Sequence, residues 1–216
     1  FDYNEDGDIS DADRMNVGKA IPDFYGGITS NFSYKGFDLS LFGQFSVGGK
    51  VMSAWRGVNG SEGTDHLGLA LSNVKVNDRG ESVEQYFNVS KEVANGYWRG
   101  EGTSNTIPRP VRIGVHTGYD YDYNVQTSTR YLEDASYFKL KTVTLGYTLP
   151  ESVVKKLRVN SLRVYVSADN LLTLTKYSGY DPETSFSGSP GDSNYGVDFG
   201  LQPVLRTFIF GLNLNF

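Results

Sequence analysis

The sequence predicts an all-β chain: a run of antiparallel strands from a transmembrane β-barrel, with long loops on the extracellular side. Three observations carry that prediction. Apolar and polar residues alternate with period two in five separate segments, as in strands with one face in grease and the other in water. Short turns and long polar stretches take turns in joining these segments, the one-sided rhythm of an outer-membrane barrel. Composition agrees, because 25 Gly, 15 Tyr and 13 Phe stand beside only 38% hydrophobic residues and a mean hydropathy of -0.38. That leaves too little aliphatic mass for a helical core.

Several classes are excluded at once. No stretch reaches the roughly 18 apolar residues of a spanning helix, whereas a tilted strand crosses with about 9 to 11 and keeps half of them polar. The net charge of -5 and pI near 5.1, with scattered Lys and Arg, leave no footprint for nucleic acid. The absence of cysteine removes disulfides, thiolate zinc sites and a cysteine nucleophile, and suits passage through an oxidising compartment. The chain opens at Phe1 inside a motif, with neither an initiator Met nor an export segment, so the expectation is a piece of a longer polypeptide.

Residues 1–26 read as an extracellular loop. Within it, Asp2, Asn4, Asp6 and Asp13 place oxygen donors at positions 1, 3, 5 and 12 of a calcium loop. Gly7 falls at the sharp turn, Asp8 offers its carbonyl, and Ser10 acts through water. Calcium is therefore the expected cofactor, in a structural role. Asp13 departs from the usual Glu and has a shorter arm, and the competing reading is an acidic solvated turn.

Residues 27–216 read as barrel strands with extracellular loops at about 48–130 and 172–203. Ile28, Ser30, Phe32 and Tyr34 alternate with Thr29, Asn31 and Ser33 before Lys35-Gly36 turns the chain. On the return, Phe37, Leu39, Leu41, Phe45 and Val47 oppose Asp38, Ser40, Gln44 and Ser46. A third strand, about Tyr137 to Leu149, sets Val143, Leu145 and Tyr147 against Thr142, Thr144 and Thr148. The fourth places Leu162, Val164, Val166 and Ala168 opposite Arg163, Tyr165, Ser167 and Asp169. In the last, Phe208, Phe210, Leu212, Leu214 and Phe216 oppose Thr207, Gly211, Asn213 and Asn215, with Ile209 as the one intruder.

Parity then sets the topology. With Phe216 on the periplasmic side, 172–203 lies outside, 150–159 inside, 48–130 outside and Lys35-Gly36 inside. Every short turn lands on one face, and the calcium motif lands outside, where free calcium suffices for a weak site.

Taken in order, these residues resemble a family. The Asp2-to-Ile9 motif comes first, then Tyr34 to Leu39, Trp98 followed by Ile107-Pro108-Arg109, and Leu132 to Lys141. Leu145 to Pro150, Asp169 to Thr173, Lys176 to Glu183 and a final Phe complete the set. Together they resemble the carboxyl-terminal part of SusC/RagA-type TonB-dependent outer-membrane transporters, over essentially the whole chain. The resemblance implies the last five or so strands of a plugged barrel of about 22 strands in the bacterial outer membrane. It also implies glycan or peptide import with a SusD-like lipoprotein lid, and TonB contact through the missing amino-terminal part. Five strands alone leave two unpaired edges in lipid, so the plug and remaining strands must complete them.

Candidate sites each have a plainer alternative. Trp55, Trp98, Tyr119, Tyr121 and Tyr123 could stack on a sugar or touch the lid protein, or simply pack loops together. Tyr34, Phe37, Tyr147 and Phe216 fit an interfacial aromatic girdle. The terminal set Phe208, Phe210, Leu212, Leu214 and Phe216 resembles the signal read by barrel-assembly machinery, and is equally an ordinary closing strand. His66 and His116 sit in no nucleophile motif, and Gly48-Gly49-Lys50 lacks the spacing of a phosphate loop, so no catalytic residue is expected. The alternative to a transporter is a secreted calcium-dependent β-sandwich that binds carbohydrate.

Overall fold

The computed structural model describes residues 3–7, 10–54, 70–76, 79–86, 90–113, 128–156, 158–183, 195–200 and 202–216. In chain order the first strands are β1 (Phe24–Tyr34), β2 (Phe37–Val47), β3 (Lys50–Ser53), β4 (Ala70–Val76), β5 (Ser82–Tyr86) and β6 (Val111–Ile113). They are followed by β7 (Leu132–Asp134), β8 (Tyr137–Thr148), β9 (Ser161–Thr175), β10 (Val197–Asp198) and β11 (Thr207–Asn215). Two short helices, α1 (Lys91–Gly96) and α2 (Glu151–Val154), interrupt them, and no helix among the described residues is long and apolar enough to cross a membrane. The chain divides into two compact units.

The unit made of Lys19–Val51, Asp134–Thr184 and Leu201–Phe216 holds a five-stranded sheet in the order β1-β2-β8-β9-β11. Every neighbouring pair is antiparallel. The five strands follow one another across the sheet in chain order, as in an up-and-down barrel wall. The first hairpin turns at Lys35-Gly36, both with positive φ (47° and 85°), the conformation of a two-residue turn that matches strand twist. Gly36 also lets Thr148 donate its N–H to the Gly36 carbonyl at 2.8 Å, where a Cβ would meet the Thr148 carbonyl.

Register places apolar residues together on one face. Leu39 of β2 pairs with Leu145 of β8, Leu145 with Val166 of β9, and Val166 with Phe210 of β11. This face stays open to its surroundings: Phe32, Phe37, Phe208, Leu212 and Leu214 are exposed, and Phe210 and Phe216 are more than four-fifths exposed. A soluble protein does not leave such a continuous apolar surface bare. The opposite face carries Ser40, Thr144 and Ser167 in adjacent register, with Thr144 and Ser167 hydroxyls 2.8 Å apart.

Two strand limits differ from the alternation. β1 begins at Phe24 because Gly26 and Gly27, mute in a hydrophobicity pattern, pair in full register with Phe45 and Gln44. β9 continues to Thr175, not stopping near residue 172: Asn170 and Leu171 break the alternation, and Leu172 and Leu174 then resume the even-numbered parity of Leu162 to Ala168. Asn170 there adopts φ 53°, after which Leu172 and Leu174 return to the apolar face opposite Leu140 and Phe138. In β8 a register irregularity leaves Lys141 as an extra residue.

The other unit comprises Phe1–Gly18, Met52–Glu133 and Ser185–Gly200. Within the stretch 48–130, read from the sequence as a loop, β4 pairs antiparallel with β5 and parallel with β6. Strands of three to seven residues are too short for a period-two signal to stand out. Ser90 caps α1 by accepting the Val93 N–H at 3.2 Å. Trp98 donates its backbone N–H to the Ile107 carbonyl at 2.9 Å, bending the chain back on itself. Residues Val197 and Asp198 of β10 run parallel to Met52 and Ser53.

Candidate lumenal site

The polar face of the sheet carries its charge in two places. At the end where β8 begins and β9 finishes, Lys139 projects from β8 among Asp181 and Glu183 of the segment that follows β9. Its ammonium lies 2.5 Å from Asp181 and 2.7 Å from Glu183, and its side chain is only 3% exposed. Lys141, the extra residue of the β8 irregularity, reaches Glu183 at 2.5 Å. Gln44 of β2 donates to Glu183 at 3.4 Å and to the Tyr137 hydroxyl at 3.2 Å. The Lys139 ammonium also sits 5.3 Å from the centre of the Tyr137 ring.

This cluster fastens the post-β9 segment to the sheet. Two cations answer two carboxylates, so no unpaired charge is buried. Burial pushes the Glu183 carboxyl up, and the Lys139 and Lys141 ammonium groups more than offset it, holding it below the ordinary glutamate range. The Asp181 carboxylate also accepts the Glu183 backbone N–H at 2.9 Å, folding the Asp-Pro-Glu turn around the lysine. Beside it, Val51, Ala135 and Tyr177 form a small buried apolar cluster.

At the opposite end, Arg163 of β9 crosses β8 to reach Asp38 of β2. Two hydrogen bonds join them, Nε to Oδ1 at 2.9 Å and Nη2 to Oδ2 at 2.5 Å, the fork geometry that favours arginine over lysine. Between these ends Thr142 donates to Asp169 at 3.1 Å. Ionic pairs at both ends, with hydroxyls and Asp169 between them, make this face polar along its length.

Among residues singled out from the sequence, Asn4, Asp6 and Asp13 share one loop, while Asp2 and Asp8 lie outside the described residues. Asp13 folds back over it, accepting the Tyr3 and Ser10 N–H groups at 2.7 Å each and that of Asn4 at 3.3 Å. Those backbone donors, Ser10 first, hold its carboxyl below the usual aspartate value. Asp6 donates its N–H to Asn4 Oδ1 at 3.1 Å, and Asn4 Nδ2 donates to Asp6 Oδ2 at 2.8 Å. Gly7 takes φ 92°, as the sharp turn requires. The donors are all oxygen and suit a hard cation. Among the described residues no three acidic or histidine groups stand together as a metal cluster.

Trp98 is 43% exposed, next to Arg99, whose guanidinium stacks on Tyr97 at 4.7 Å. Trp55, Tyr119, Tyr121 and Tyr123 lie outside the described residues. Phe208, Phe210, Leu212 and Leu214 share the apolar face of β11, and Phe216 follows its last residue. The sequence reading missed the Lys139 cluster and the Asp38–Arg163 pair as sites. A lysine and an arginine on otherwise hydroxyl-bearing strand faces were the available signal, but their partners are set by register and by the return path of a loop.

A sheet apolar on its open face and polar on the other, with hairpin connectivity and two unpaired edges, is a section of transmembrane β-barrel wall. No family model matches the chain. Its whole length is 34% identical to the TonB-dependent receptor P3 of Formosa agariphila, of which it covers 18%. It is 32% identical to the TonB-dependent receptor P26 of the same organism, covering 19%, and 27% identical to the TonB-dependent receptor SusC of Bacteroides thetaiotaomicron, covering 17%. The chain therefore spans under a fifth of the length of these curated relatives. Among solved structures, 93% of it superposes on 18% of a chain of the RagAB peptide importer in its closed-closed state, with TM-score 0.63 and 24% identity. The open-open state gives 0.59 over 91% of this chain and 17% of the importer chain, also at 24% identity.

The chain belongs to the SusC/RagA-type TonB-dependent receptors of the bacterial outer membrane, as a carboxyl-terminal segment of one.

Proposed function

We propose that this segment is barrel wall in a TonB-dependent transporter that imports glycans or oligopeptides together with a SusD-like surface lipoprotein. The observation that carries the reading is the two-faced five-stranded sheet and its likeness to the RagAB importer. In this reading the apolar face meets outer-membrane lipid. The hydroxyls and satisfied ion pairs of the other face line the lumen around a plug, where a polar solute passes. The relatives carry the names of receptors and an importer, which fits a chain with no catalytic role. The β-sandwich alternative draws no support from them.

The decisive experiment compares uptake of a labelled oligopeptide and a labelled oligosaccharide by cells with and without the full transporter. Energy-dependent uptake of one class that vanishes with the transporter is the expected result. Uptake that is unchanged without it, or that survives collapse of the proton-motive force, overturns the proposal.

The loop of residues 2–13 is proposed to hold calcium through Asp2, Asn4, Asp6, Asp13 and the Asp8 carbonyl, stiffening the outer surface. Support comes from the way Asp13 folds back over the loop, accepting the Tyr3, Asn4 and Ser10 N–H groups. Terbium bound there would be sensitised by exposed Tyr3. Asp6→Ala and Asp13→Ala in the full transporter should each remove that luminescence, and undiminished emission overturns the assignment. Trp98 is proposed to touch the lid or the substrate, so Trp98→Ala should weaken co-purification of the lipoprotein or uptake. The β11 aromatics with Phe216 are proposed to serve barrel assembly.

A further inference from the structure

The short connectors at one end of the sheet are strongly basic. Lys35 sits in the β1–β2 turn, and Lys155, Lys156 and Arg158 follow α2 in the connection from β8 to β9. The connectors are neighbours, because β2 pairs with β8 up to Phe37 opposite Tyr147 and Thr148 bonds Gly36. The acidic side chains at this end, Asp38 and Glu151, are engaged by Arg163 and, at 2.8 Å, by Lys155, and the Phe216 carboxylate follows β11 at the same end. Lys35, Lys156 and Arg158 make no ion pair with any described residue, and all three are exposed.

Their height relative to the membrane is marked by aromatic rings. Tyr34 and Phe37 flank the turn on the apolar face and are 69% and 51% exposed, with Tyr147 packed on Phe37 at 4.5 Å between ring centres. Such a band sits at the level of lipid headgroups. The Lys35 ammonium leans over the Tyr34 ring, 5.2 Å from its centre, so it is held on the lipid-facing side at that level. That placement suits a turn that meets phosphate, because the ring covers the aliphatic stem while the ammonium faces the headgroup.

We infer that this rim binds the phosphate of an anionic phospholipid in the inner leaflet of the outer membrane. Lys35 contacts it from the barrel surface, and Lys156 and Arg158 add charge from the neighbouring connector. The inference rests on the proposed orientation, in which the short connectors face the periplasm.

The test uses the full transporter in nanodiscs of equal phosphatidylglycerol and phosphatidylcholine, with retained lipid counted by native mass spectrometry. The wild type should keep phosphatidylglycerol preferentially. The triple variant Lys35→Gln, Lys156→Gln, Arg158→Gln should cut that preference by about fivefold or more, since one basic group near a charged leaflet has an effect of about that size. Unchanged gel mobility of the unheated barrel would show that the variant is folded. Equal retention of both lipids by the wild type, or an undiminished preference in the folded variant, overturns the inference. So does loss of phosphatidylglycerol on adding inorganic phosphate, which would mark a site for free anions. Orientation is read separately from Lys35→Cys: an impermeant maleimide should label it only after the outer membrane is permeabilised. Labelling in intact cells overturns the inner-leaflet assignment and leaves the transporter reading standing.

Discussion

Arg163 holds Asp38 across the full width of β8, its guanidinium passing over Gly146. The arrangement works only because position 146 has no side chain, since a Cβ there would strike both the Arg163 guanidinium and the Asp38 carboxylate. Gly146→Ala should therefore break the pair and lower barrel stability by about 1–3 kcal/mol, the usual range for overpacking. Asp38→Asn in the Gly146→Ala background should then cost little more. Full additivity of the two substitutions in a denaturant series would show that glycine and ion pair are independent.

The Lys139 cluster predicts a latch. Removing one member of a buried pair leaves the other charge stranded, at about 3–5 kcal/mol, so Lys139→Met should free residues 177–183. Hydrogen exchange there should rise sharply while exchange in β8 stays slow. Slow exchange at 177–183 in the variant would mean that apolar packing around Tyr177, not charge, holds the segment.

Acid should loosen the same latch. The Glu183 carboxyl is held below its ordinary value of 4.5, so its contribution is fully present above that value and is lost as pH falls through the lower folded one. Exchange at 177–183 should climb as pH drops below about 4.5, and Glu183→Gln should remove that dependence. A pH profile identical in Glu183→Gln would assign the effect to another carboxylate.

The two faces of β11 make opposite predictions for one substitution. Phe210, on the apolar face near mid-strand opposite Val166, should cost about 2–4 kcal/mol when changed to Arg. Asn213, on the polar face opposite Arg163, should accept Arg far more cheaply. Equal costs in a folding titration into vesicles would reject the assignment of lipid and lumen.

Tyr165 covers Gly211 on the neighbouring strand, where a Cβ would collide with its ring. Gly211→Ala should destabilise by about 1–3 kcal/mol, and Tyr165→Ala should absorb most of that loss. Such non-additivity is expected of residues in contact, and its absence in the double variant would separate them.

Alternation made the five strands and their faces legible, because strand periodicity is local and lipid on one face enforces it. Motif order made the family legible. Reading stopped short where local periodicity is interrupted: at Gly26-Gly27, which carry no hydrophobic signal, and at Asn170-Leu171, each on the face the alternation gives to the other kind, beyond which Leu172 and Leu174 resume the parity of Leu162 to Ala168. Within 48–130 the strands β4 to β6 went unread because they are too short to repeat.

Residue by residue, the sequence alone determined which side chains face grease, since that depends only on parity along each strand. Which charges meet was decided by tertiary structure. Asp38 and Arg163 are brought together by strand register and by the vacancy at Gly146, and Lys139 finds Asp181 and Glu183 because the chain after β9 turns back over the polar face. Those contacts join residues 125 and 42 positions apart, and pairings at that separation exist only once the sheet has closed.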